Sequence, residues 1–150
     1  KKYNYLNLLI VGEGEEKKNL LKQIKLNKIE NNVHFLGQID NVYPLIKNSI
    51  ATISTSLWED PGAVMVEASY CKKISIVSDC PNGPAEFLSS GRGGYLFKNN
   101  NVDDLVDKIH SFLNDDEHIK KKKILFSKKN SKNYTIFNHY KKINQLLHLS

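Results

Sequence analysis

Residues 49–55 read Ser49-Ile50-Ala51-Thr52-Ile53-Ser54-Thr55, a β-branched and largely apolar run without polar alternation. A strand with one wet face alternates, whereas a strand covered by helices on both sides does not, so this stretch predicts a strand buried on both faces of a parallel sheet. The flanking sequence repeats the theme. Upstream, LNLLIV (6–11) is a short apolar run stopped by Gly12-Glu13-Gly14, and residues 15–29 place Leu20, Leu21, Ile24 and Ile29 near helical spacing. VHFLG (33–37) predicts a second strand ended by glycine, and Val42 to Asn48 a short helix. Downstream, Pro61 and Gly62 open a helix through about Cys71, ISIVS (74–78) is a strand, and NGPAEFL turns into a short helix. YLF then predicts another strand, and 102–113 a further helix. Strand alternating with helix predicts an α/β fold: a doubly wound, Rossmann-like parallel sheet with helices on both faces and ligands beyond the carboxyl ends of its strands.

The size and composition fit that architecture. A chain of 150 residues has room for one compact domain with one core. Hydrophobic residues make up 40% and charged residues 25%, and no apolar run approaches the roughly 18 residues of a membrane span. Cys71 and Cys80 are too few for a disulfide scaffold or a cysteine-built zinc site, which suits a reducing cytoplasm. The opening KKYNYLNLLIVG carries neither an initiating methionine nor a cleavage signal, so the chain is expected to begin inside a longer protein.

The net charge of +6 is unevenly placed. Residues 120–150 hold nine lysines and no acid, leaving 13 basic and 16 acidic residues in 1–119. One arginine, Arg92, and a lysine tail do not make the shaped basic face of a nucleic-acid binder, so no nucleic-acid partner is expected. The organisation read from this pattern is a Rossmann-like domain over 1–115 and a lysine-rich helical tail over 116–150. Ile136, Tyr140, Ile143 and Leu147 line one face of that tail and need a surface, either on this domain or on another.

Two features carry chemistry. Gly12-x-Gly14 follows a strand, but a dinucleotide fingerprint would need a third glycine where Lys17 stands. A tight turn into a helix accounts for both glycines, and a phosphate can still approach the free N–H groups there. The second feature is SLWEDPGAVMVEA, with Glu59 and Glu67 eight residues apart. Pro61 and Gly62 keep Glu59 in the loop and place Glu67 in the second turn of the helix that follows, with the N–H groups near Gly62 and Ala63 between them. Carboxylates accept from sugar hydroxyls and amides meet phosphate oxygens, so a diphosphate flanked by hydroxyl-bearing groups suits the layout. Gly62 lets the backbone come close. A surface glutamate and a lysine-paired helix glutamate is the alternative. The five histidines show no metal-ligand spacing, and no metal is expected.

From Leu8 to Leu113 the chain resembles the carboxyl-terminal, nucleotide-sugar-binding half of a family-4 retaining glycosyltransferase of GT-B fold. The resemblance rests on LLIVGEG, VHFLG, the Glu-x7-Glu stretch SLWEDPGAVMVEA, SDCPNGPAEFL and GGYLF. It implies that Glu67 binds the ribose hydroxyls of the donor, that Glu59 contacts the donor sugar at the catalytic centre, and that the backbone at Pro61, Gly62 and Ala63 meets the diphosphate or sugar. It also implies donor contacts at the Gly12–Gly14 turn, and base reading by main-chain groups around Val33 and Phe35. Asp60-Pro61-Gly62 stands where relatives often have Gly-Phe-Gly, and Lys72-Lys73-Ile74 where they often have Gly-Lys-Pro.

The implied partners are a nucleoside diphosphate sugar, a saccharide or lipid-linked acceptor, and an amino-terminal domain outside this chain, with no cofactor. The cytoplasm, with peripheral contact at the inner face of the membrane, is the expected location. A GT-B nucleotide-sugar epimerase, a non-catalytic binding module with a basic tail, and a glycoside hydrolase using Glu59 and Glu67 are the competing readings.

Overall fold

The computed structural model describes residues 3–60 and 62–147. The chain divides into two compact units, Lys1–Val42 and Tyr43–Ser150. In the first, β1 (Leu8–Val11) leads into α1 (Lys17–Asn27), and a 3-10 turn (Glu30–Asn32) precedes β2 (Val33–Gly37). The strands pair in parallel, Leu8 opposite Val33 and Ile10 opposite Phe35, and the register slips so that Val11 faces Gly37. Asn32 Nδ2 donates to the carbonyls of Asn4 and Leu6, both at 2.8 Å, which fixes how the chain enters β1. Helix α1 stops at Lys28, whose left-handed backbone returns its N–H to the carbonyls of Ile24 and Lys25.

The second unit runs α2 (Tyr43–Asn48), β3 (Ala51–Ser54), α3 (Ala63–Tyr70), β4 (Ile74–Asp79), α4 (Pro84–Phe87), β5 (Tyr95–Lys98) and α5 (Val102–Asn114). Helices α6 (Glu117–Ser131) and α7 (Ile136–Leu147) follow, separated by a 3-10 turn at Lys132–Tyr134. The strands form a parallel sheet in the order β3-β4-β5, with Ile53 opposite Ile76 and Ile76 opposite Tyr95. Parallel strands joined through helices are the α/β architecture expected from the sequence.

Two expectations are corrected. The strand buried on both faces is β4, in which every residue but Asp79 is buried, whereas β3 is half-buried and Ile53 is 41% exposed. Position in the sheet decides this: β4 has a strand on each side, and residue type alone does not say which apolar run will be central. Nor is there one core. Ile74, Ile76, Tyr95, Phe97 and Phe112 form one cluster with Leu105 and Ile109 of α5, and Met65, Val77, Phe87 and Leu88 form another with α3 and α4. Ile76 and Val77, adjacent in β4, feed opposite clusters, as the period of two in a strand requires. Full burial of side chains such as Ile76 or Phe87 contributes roughly 1.5–3 kcal/mol each.

Helix α6 packs against α3 and β4 and so belongs to the same unit as the sheet. Gly93 makes that approach possible, since a Cβ there would stand 3.2 Å from Phe126 Cδ1 and 3.3 Å from Ser127 Cβ. Lys123 Nζ donates to the carbonyls of Gly91 (2.7 Å) and Gly94 (2.9 Å) and lies 4.6 Å from the Tyr95 ring centre. Asn130 Nδ2 donates to the Phe87 carbonyl at 2.6 Å. Helix α7 is the counterexample: Ile136, Phe137 and Tyr140 are 91%, 73% and 62% exposed.

Candidate functional site

The loops after β3, β4 and β5 meet at the carboxyl end of the sheet. Ser78 Oγ donates to the Ser56 carbonyl, Asn99 Nδ2 to the Leu57 carbonyl (3.0 Å), and the Glu59 N–H to the Pro81 carbonyl (3.4 Å). The loop between β3 and α3 is thus tied to the segments that follow β4 and β5. Within it, Ser54 Oγ donates to Glu59 Oε1 at 3.1 Å, which aims the half-buried carboxylate back towards the sheet.

That orientation sets Glu59 against the start of α3. Gly62 is the N-cap residue, with φ 80° and ψ 60°, and no side chain caps the helix. The first N–H groups of a helix have no partner inside it and carry the positive end of the dipole. A Cβ on Gly62 would lie 3.7 Å from Glu59 Oε2 and 2.5 Å from Met65 Cε. The bare backbone, the carboxylate and the uncapped helix end are therefore one feature. It offers a hydrogen-bond acceptor beside donors suited to an anion. Pro61 lies outside the described residues.

Glu67, half-buried, and Ala63, exposed, sit one turn apart on α3 and border a hollow of about 690 Å³. Tyr43, Tyr70, Glu86, Asn130, Tyr134, His139 and Lys142 also line it. Glu59 and Gly62 are not among the described residues that line this hollow. Burial raises the Tyr134 hydroxyl above its usual value, and the nearby Glu86 charge adds to the rise. The ring of Tyr134 is held edge-on to Phe87 at 5.1 Å.

The remaining predicted positions lie in the first unit. Gly12 (φ 112°) donates its N–H to the Gly37 carbonyl at 2.7 Å, and the Gly14 carbonyl accepts from Lys17 N–H at 3.2 Å. Lys17 pairs with Glu13 at 3.2 Å and sits 5.8 Å from the Phe35 ring centre. Val33 opens β2 opposite Leu8, whereas Gly37 closes it beside Gly12. The structure thus joins Glu59 with Gly62, and Ala63 with Glu67, and it places Gly12 beside Gly37. It sets Val33 at the other end of β2.

Sequence reasoning passed over Tyr70, Asn130, Tyr134, His139 and Lys142. Tyr70 was legible, because it shares a helical face with Ala63, Val66 and Glu67. The tail residues were not, since their place depends on where α6 and α7 pack. Among the described residues, no cluster of three His, Cys, Asp or Glu is arranged to hold a metal, and no helix is long and apolar enough to cross a membrane.

Parallel sheets flanked by helices, with a glycine-opened helix facing a carboxylate at the strand ends, define a Rossmann-like domain of the kind found in GT-B glycosyltransferases. The chain belongs to the family Glycosyl transferases group 1, whose model matches residues 1–133. It is 33% identical over 116 residues to a poly(ribitol-phosphate) alpha-N-acetylglucosaminyltransferase of Staphylococcus aureus, covering 77% of this chain and 24% of that protein. It is also 33% identical over 110 residues to the N-acetyl-alpha-D-glucosaminyl L-malate synthase of Bacillus anthracis, covering 73% and 29%. The chain spans about a quarter to a third of the length of these relatives. Among solved structures, a mutant of S. aureus TarM in complex with UDP superposes with a TM-score of 0.78 at 29% identity, over 86% of this chain and 26% of that one. Anabaena HepE in complex with UDP superposes with a TM-score of 0.85 at 23% identity, over 97% and 41%, a likeness of fold.

Proposed function

We propose that this chain is the donor-binding, carboxyl-terminal half of a family-4 retaining glycosyltransferase, acting in the cytoplasm and at the inner face of the membrane. It moves a sugar from a nucleoside diphosphate sugar to a saccharide or lipid-linked acceptor. The carrying observation is the Glu59 carboxylate lying beside the uncapped Gly62 at the head of α3, with Glu67 further along the same helix. The UDP in the TarM complex makes UDP the first nucleotide to test.

In this reading Glu67 accepts from the ribose hydroxyls and the backbone at Gly62 and Ala63 receives the diphosphate. Glu59, held by Ser54, accepts from a hydroxyl of the transferred sugar. The helix terminus stabilises the negative charge that grows on the leaving diphosphate, with no metal in the scheme. That diphosphate takes the proton of the acceptor hydroxyl as it attacks from the same face. Gly12 and Gly14 provide backbone approach to the donor, and Val33 and Phe35 belong to the strand that reads the base. The apolar stripe of α7 packs on the amino-terminal domain, and without that domain the chain binds nucleotide but transfers no sugar.

Calorimetry of the folded chain with UDP and GDP tests this directly. Trp58, the only tryptophan, is 59% exposed and precedes Glu59, so its fluorescence gives a second readout. Binding of one nucleotide, with an emission change that is larger for the nucleotide sugar, is the expected result. No binding of either nucleotide at millimolar concentration defeats the proposal.

A further inference from the structure

The lysines of α6 are not spread evenly around the helix. His118, Lys121, Lys122 and Lys129, and Lys132 at the C-cap with a helical backbone, are all exposed, and with Leu125, 68% exposed, they fall within an arc of about 100° at 3.6 residues per turn. Leu125 stands at the middle of the arc. The opposite face carries Ser127 and Ser131, both buried, and the partly buried Lys123 anchored on Gly91 and Gly94. The helix is thus clamped to the body on one side and presents a straight cationic strip, about 21 Å long, on the other. No acid interrupts it, and Glu117, just before it, is paired with Lys120 at 3.2 Å.

We propose that this strip is a docking surface for an anionic lipid bilayer. The reading goes beyond donor binding and needs none of its residues. Charge complementarity selects an anionic partner, since lysines within a Debye length of a negatively charged leaflet are each attracted to it. Two features favour a bilayer over a nucleic acid or another soluble polyanion. The strip contains no arginine, Arg92 being stacked on Phe126 at 4.5 Å, and an exposed leucine lies at its centre rather than at its rim. Lysines around an apolar residue match a headgroup layer over hydrocarbon, with the lysine stems reaching up to the phosphates.

The test is co-sedimentation of the full chain with vesicles of phosphatidylcholine alone and of phosphatidylcholine mixed with phosphatidylglycerol. Binding to the anionic vesicles, weakened by salt and absent from the neutral ones, is expected. Replacing Lys121, Lys122, Lys129 and Lys132 by Gln should lower that binding on the order of a hundred- to thousand-fold. Their exposed positions should leave the circular dichroism and the nucleotide affinity unchanged. Leu125→Gln should weaken vesicle binding several-fold while leaving inorganic polyphosphate binding as it was. Equal binding to both vesicle types, or full binding by the four-lysine variant, overturns the proposal. So does a Leu125→Gln variant that holds vesicles as tightly as the parent, which would mark the strip as a site for a soluble polyanion.

Discussion

The Glu59 carboxylate lies 3.7 Å from the point where a Cβ of Gly62 would stand, so the absence of that one atom keeps the space between the acid and the head of α3 open. Ser54 holds the acid from the other side at 3.1 Å.

Gly62→Ala should therefore harm both fold and site. The left-handed φ of 80° costs a non-glycine residue about 1–2 kcal/mol, and the new methyl group must also displace Met65 Cε. We expect a melting temperature several degrees lower and weaker nucleotide binding, measured on one sample by calorimetry. An alanine variant as stable as the parent would show that this geometry is relaxed in solution.

The two glutamates should separate in their effects. Glu67→Ala removes a charged acceptor of hydroxyl groups, worth roughly 1.5–3 kcal/mol, so UDP affinity should drop about ten- to a hundred-fold. Glu59→Gln should leave UDP affinity nearly intact and abolish the extra affinity of the nucleotide sugar. Equal losses for both ligands in both variants would contradict the division of roles.

Lys123→Met keeps the aliphatic stem and removes the donors to Gly91 and Gly94, and should destabilise the chain by about 1–3 kcal/mol in urea titration. Burial holds the Lys123 ammonium below its usual 10.5, against the attraction of Asp115. Between that lowered value and 10.5 the unfolded chain binds more protons than the folded one, so stability gained from this residue rises with pH across the window. The parent should show that rise relative to the methionine variant.

Asp104 gives the same sign in an acid window. Its carboxylate accepts from the Lys98 N–H at 2.6 Å, which holds its pKa below the usual 3.8, while its own N–H donates to Asn101 Oδ1 at the head of α5. The stabilisation is present above 3.8 and is lost as pH falls through the lowered folded value. Denaturation midpoints of the parent and Asp104→Asn should converge in acid, and parallel curves would rule this link out.

The order of strands and helices was readable because apolar runs end at glycines or at Pro-Gly pairs, and these fix where the backbone turns. Which run would be central was not, since β4 gains its second neighbour only when β5 pairs with it. Glu59 and Glu67 could be named through the resemblance of the whole SLWEDPGAVMVEA stretch, since their spacing alone suits a surface glutamate and a lysine-paired one equally well. The far wall of the hollow could not. The inward side of α6 includes Lys120, Lys123, Ser127 and Ser131, so the apolar period that betrays a packed helix is missing from the sequence. Its packing comes from Gly93, from Asn130 on the Phe87 carbonyl and from the Lys123 anchors, none of which leaves a repeating pattern.

Anyone shortening this protein for expression would be tempted to cut after residue 115, where the lysine-rich composition begins. The cut would strip the cover from Gly93, leave the Phe87 carbonyl without its amide donor and deprive the Gly91 and Gly94 carbonyls of the Lys123 ammonium. A trimmed version should come out of the cell as inclusion bodies, and solubility would return only with α6 restored.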